Sequence, residues 1–230
     1  MRLKKYEIRY LCITTVISFL WVVMLSYLSQ SKDINQILGN FSPSKSLKLD
    51  VQHIMQWNLA VLFPTLIANN YFIKEMGNIR YYTMVRSKRI KDWYSYRSFF
   101  ICIICIFYIL TVIVYTFGSH NSHIAKDFEC LFSFCFHTLI MAFFSVLIYI
   151  HYKKEIKFII LFYLFIEGIL LVLGHFVPQL GYWFLPYLGM SANVVRGTFE
   201  CEYILFKAVI IITILFTGAF AARRSLIKAM

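Results

Sequence analysis

Six stretches of mostly apolar residues, joined by short polar or basic connections, limit what this chain can fold into more than any other feature. A helix needs about 20 such residues to cross a bilayer. Inside lipid every backbone N–H and C=O must find its partner within the protein, which leaves helices or closed barrels as spanning structures. Runs of this length predict helices at about 8–28, 51–73, 98–117, 128–150, 158–177 and 204–222. Together they take up most of the 230 residues, so the chain reads as one all-α integral membrane domain over 1–230. Composition agrees: 60% of residues are hydrophobic and 15% charged, where a soluble domain is roughly half apolar and a quarter charged. The start, Met1-Arg2-Leu3-Lys4-Lys5, imitates a signal peptide. The apolar run behind it exceeds the roughly 7–15 residues of a signal core and has no small-residue cleavage pattern, so it is read as a retained first helix.

The net charge of +12 comes from 23 basic and 11 acidic residues. The bases lie between apolar runs, which points to orientation in a membrane and away from nucleic acid. Four lie in the N-terminal segment, seven in 74–97, three in 151–157 and three in the tail, against six in the alternate connections. The positive-inside rule puts the richer side, with both termini, in the cytoplasm. Heavy use of Ile, Phe, Tyr and Lys fits an AT-rich genome, and the expected location is a bacterial plasma membrane, crossed several times. Of the six cysteines, Cys12, Cys102, Cys105 and Cys135 fall in apolar runs, Cys130 at a helix start and Cys201 outside. That is no disulfide framework, and Cys102-x-x-Cys105 lacks the preceding strand of a redox motif.

Two connections hold the most information. Residues 74–97 mix acids, bases and aromatics over a length too great for a tight turn. Tyr81, Tyr82, Met84 and Val85 predict a short helix lying on the membrane surface. Glu75 would stand near its N-terminus, where a carboxylate is favoured. A solvated basic loop that only enforces topology explains the same residues. Residues 178–190 are apolar and aromatic but cut by Pro178, Gly181, Pro186 and Gly189, with Trp183 between them. Such a stretch is too broken to span and reads as re-entrant or interfacial, or as an aromatic belt with a turn.

The segment Glu75-x-Gly77, Tyr81–Val85, Arg86-Ser87-Lys88-Arg89 and Arg97 resembles permease subunits of type-two ATP-binding-cassette exporters. It is similar in particular to the small six-span permeases encoded beside bacteriocin or modified-peptide genes. Where that family usually has a lysine at the start of helix three this chain has Arg97, and Val85 replaces the usual small residue or proline. The resemblance implies a cytoplasmic coupling helix between helices two and three that docks on an ATPase subunit through Glu75, Gly77, Tyr81, Tyr82, Arg86, Lys88 and Arg89. It implies an outer gate at Pro178, Trp183, Pro186 and Gly189. It also implies a second permease copy, identical or related, and a peptide or other hydrophobic cargo. ATP and magnesium would be bound by the partner, and this chain would hold no cofactor and no metal.

Buried polar residues complete the expected site. Glu167 falls near the middle of the fifth run, where an ionisable group costs about 2.5–3.5 kcal/mol or more to insert. His137 and His175 are its candidate partners, and Asn69 and Asn70 could bond across helices. His120, His123, Asp127 and Glu129 form only a loose external metal pattern. The chain has no GxxxxGK(S/T) phosphate loop, no HExxH and no GxSxG, so no catalytic role is expected of it. Two other functions stay open: a membrane immunity or interaction protein that sequesters a toxic peptide without an ATPase, and the substrate-binding subunit of a vitamin importer.

Overall fold

A computed structural model describes residues 5–30, 33–39, 47–82, 90–117, 124–152, 156–177 and 208–218. These residues are helical apart from turns and contain no strand. The helices are α1 (Lys5–Ser29), α2 (Ile34–Ile37), α3 (Leu47–Tyr82), α4 (Ile90–Phe117), α5 (Ile124–Tyr152), α6 (Ile156–Phe176) and α7 (Ala208–Gly218). Three of them are long and apolar enough to cross a membrane: Lys5–Ser29, Tyr94–Thr116 within α4 and Leu131–Ile150 within α5. α3 and α6 contain the second and fifth expected runs, and α7 covers the middle of the sixth.

α3 is the central helix and packs against α1, α4, α5 and α6. It runs antiparallel to α1. The start of α1 meets the end of α3 through Tyr10, whose hydroxyl donates to the Ile67 carbonyl at 3.0 Å. The end of α1 meets the start of α3 through Gln56, whose Nε2 donates to the Leu25 and Ile37 carbonyls at 3.1 and 3.2 Å. Ile37 ends α2, so one glutamine inside α3 ties down two other helix ends. Beside it, Gly39 turns the chain at φ 67°, and a Cβ there would stand 2.5 Å from the Trp57 backbone nitrogen. Only glycine allows that approach without strain.

The bundle has its polarity turned inward. On α1 the buried residues are Glu7, Leu11, Thr14, Ser18, Val22, Leu25 and Ser26, a single face at helical spacing. Its outward face carries Ile13, Val16, Ile17, Leu20 and Val23. Val114 on α4, Phe165 on α6 and Phe216 on α7 are likewise exposed. Apolar side chains face out, and Thr, Ser, Asn, Gln and charged residues lie in the helix contacts among buried apolar side chains, an arrangement that lipid favours. Interior aromatics lock it together, with Trp57 edge-on to Phe134 and Trp21 stacked on Phe63.

The connection after the second run corrects the sequence reading. A separate short helix is expected from about Glu75. Instead α3 continues unbroken through Pro64 and past Ile73 to Tyr82. Glu75 therefore stands inside a long helix, away from any N-terminus, and faces the bundle. The physical reason is its partner on α4, described below. The outer-gate residues Pro178, Trp183, Pro186 and Gly189 lie outside the described residues, as do His120 and His123.

Candidate functional site

Two buried polar clusters occupy different parts of the bundle. The first gathers the start of α1, the end of α3 and the start of α4. Arg97 reaches Glu7 with Nη1 at 2.7 Å from Oε1, and its Nη2 contacts Glu75 Oε2. The two carboxylates come from residues 68 positions apart in sequence, yet one guanidinium joins them. Its planar set of five N–H donors suits such a double contact. Three tyrosines complete the network. Tyr71 donates to Glu7 at 3.1 Å and accepts from Arg97. Tyr6 donates to Glu75 at 3.1 Å and accepts from Arg97 at 3.3 Å. Tyr96 donates to Glu7 Oε2. The Arg97 guanidinium also lies over the rings of Tyr96 and Tyr71, 5.0 and 5.6 Å from their centroids. Glu7 is fully buried, and Glu75 and Arg97 nearly so. Every charge here has a charged partner and hydrogen bonds, which is what makes buried charges tolerable.

Of the seven expected docking residues, then, Glu75 has an inward structural partner. The backbone at Gly77, Tyr81 and Tyr82 belongs to α3, and Arg86, Lys88 and Arg89 lie outside the described residues. Glu7 and Tyr71 have no place in the sequence reading. The one available signal is Glu7 itself, an acid in an otherwise basic start that leads straight into an apolar run.

The second cluster joins α3, α5 and α6. His137 Nε2 lies 2.8 Å from Glu167 Oε1, both side chains buried. The sequence proposes this partner for Glu167, and the fold brings the two together because α5 and α6 follow one another across a three-residue connection. The contact has ion-pair distance but not hydrogen-bond alignment at either group. The Trp57 ring centroid is 5.2 Å from that of His137. Nearby, Asn58 Nδ2 lies 3.5 Å from the place a Cβ would take on Gly168. α3 thus brings a polar side chain up to Gly168, the residue that follows Glu167. Trp57 and Asn58 have no place in the sequence reading either. An indole and an amide side by side inside an apolar run are the signal that could have found them.

Asn69 does bond across helices. Its Nδ2 stands 2.6 Å from Ser145 Oγ on α5 and 2.8 Å from the Thr65 carbonyl. Asn70 is exposed. Cys12, Cys102, Cys105 and Cys135 are free thiols. Among the described residues no group of three His, Cys, Asp or Glu could hold a metal ion. Compared with protein-family models, curated proteins and solved structures, the chain matches none.

Proposed function

We propose that this chain is the membrane-spanning permease subunit of an ATP-driven exporter in a bacterial plasma membrane. It crosses six times with both termini in the cytoplasm, and it moves a peptide or other hydrophobic cargo outward. It works as a pair with an identical or related permease. A cytoplasmic ATPase subunit, which binds the ATP and magnesium, docks on the connection between α3 and α4.

The observation that carries this reading is the double contact of Arg97 with Glu7 and Glu75. It fastens both stems of the α3–α4 connection to α1. A force on Arg86, Lys88 and Arg89 would pass into three helices together, where a loose loop would absorb it. A connection that serves topology alone has no need of a buried charge network at its base, and such networks are costly to assemble. The inward-facing polar residues and apolar exterior support a bundle in lipid.

The test uses Lys88→Cys in a background free of the six native cysteines. Crosslinking in intact cells should capture a protein whose sequence contains a P-loop. Arg86→Glu with Arg89→Glu should cut that yield about tenfold, the scale of losing close charge pairs at an interface. Glu75→Arg is a poor test because it would break the buried network. Labelling of the Lys88→Cys variant by a membrane-impermeant reagent from outside the cell would overturn the reading.

A further inference from the structure

Six polar atoms on the residues of the second cluster have no hydrogen-bond partner among the described residues: Trp57 Nε1, Asn58 Oδ1, both ring nitrogens of His137 and both carboxylate oxygens of Glu167. Trp57, His137 and Glu167 are each at most 1% exposed. Buried polar groups are ordinarily bonded, and each exception calls for a reason. Among the described residues other exceptions are scattered through the bundle, but six gather on three helices around the His137–Glu167 contact, while in the Arg97 network every carboxylate oxygen is bonded. Among the described residues no lysine or arginine is paired with Glu167, and no group of three ligating side chains could hold a metal ion.

We propose that Trp57, Asn58 and Glu167 form a binding site for an organic ammonium group, carried by a lysine side chain or a free amino terminus of the cargo, which displaces His137 from Glu167. An ammonium brings one positive charge and several N–H donors, with no acceptor. The carboxylate of Glu167 and the amide oxygen of Asn58 are the acceptors left open, and the charge of Glu167 selects a cation. The indole face of Trp57 adds attraction for the same charge. His137 holds Glu167 when the site is empty. Their misaligned contact is readily exchanged for aligned donors from the ligand. The inference rests on the transport reading for the nature of the cargo, whereas the binding itself needs no ATPase.

The experiment uses the full chain in lipid nanodiscs without any ATPase, so that failure to bind and failure to dock an ATPase are separate results. The probes are versions of one fluorescent amphipathic peptide: N-acetylated with a single lysine, N-acetylated with that lysine replaced by glutamine, and lysine-free with a free amino terminus. The single-lysine probe should bind wild type about tenfold more tightly than Glu167→Gln, the effect expected of one close charge pair. Trp57→Phe should weaken it about threefold, as a cation over a poorer ring does. His137→Gln should bind within about threefold of wild type, since histidine only occupies the carboxylate when no ligand is there. The free-amino-terminus probe separates the two sources: binding like the lysine probe assigns either source, and weaker binding assigns the lysine. Equal binding of the lysine and glutamine probes overturns the site. So does undiminished binding by Glu167→Gln, or a loss in His137→Gln as large as that in Glu167→Gln.

Discussion

The Arg97 network and the His137–Glu167 pair are both buried, both ionisable and both span several helices, yet they are built to opposite standards. Around Arg97 each carboxylate has the guanidinium and at least one tyrosine hydroxyl. Around Glu167 there is, among the described residues, one imidazole, close but out of line. A buried charge is stabilised only when its partner and its remaining hydrogen-bond capacity are both supplied. The first cluster meets that condition and fits a permanent joint. The second does not, and fits a place where partners change. Burial of charge alone therefore says little about role, and the completeness of the bonding says more.

The largest effect expected from breaking this contrast is at Arg97. Arg97→Gln leaves Glu7 and Glu75 facing one another without a cation and should cost about 3–5 kcal/mol. Thermal unfolding in detergent, or a collapse in folded yield, would register it. A loss under about 1 kcal/mol would show that the surrounding tyrosines suffice. Gly39→Ala is next. It would place a Cβ against the α3 backbone at a positive φ, and strain of about 1–2 kcal/mol from the conformation alone is expected, with the close contact adding to it. His137→Phe sharpens the comparison itself. Because its contact with Glu167 is misaligned and single, stability should fall by less than for Arg97→Gln, by about 1–3 kcal/mol for the carboxylate left without its partner. A fall as large as that of Arg97→Gln would erase the distinction drawn between the clusters. The smallest effect belongs to Asn69→Ala, which removes one interhelical bond to Ser145. Such bonds average about 0.6 kcal/mol in a membrane protein, so a small shift in unfolding is expected.

The helices are legible in the sequence to different degrees. α1, α4 and α5 stand out because an apolar run of spanning length has no other stable home than a helix, and their described limits contain the expected runs almost whole. α3 is legible only in part. Its second half carries Asn69, Asn70, Lys74 and Glu75, which read as the chain leaving the membrane. The helix goes on because Tyr71 and Glu75 lie one turn apart on its inner face and meet Arg97 and Glu7 there. Glu167 announces itself as an isolated acid in an apolar run, and His137 is a reasonable partner. Glu7 gives almost no warning, since near a helix start an acid ordinarily needs no explanation beyond the helix dipole.

By itself the sequence determined which segments must be helical and apolar outside, because backbone hydrogen bonding and hydropathy act over neighbouring residues and are written in consecutive letters. It also determined that a few ionisable groups would be buried, since they fall inside runs too long and too apolar to stay wet. Only the tertiary structure decided which of those groups meet. Glu7 and Arg97 are 90 residues apart and Asn69 and Ser145 are 76. Pairing at that separation depends on how helices stack and turn about one another, a matter of side-chain shape across the whole bundle that no local stretch encodes.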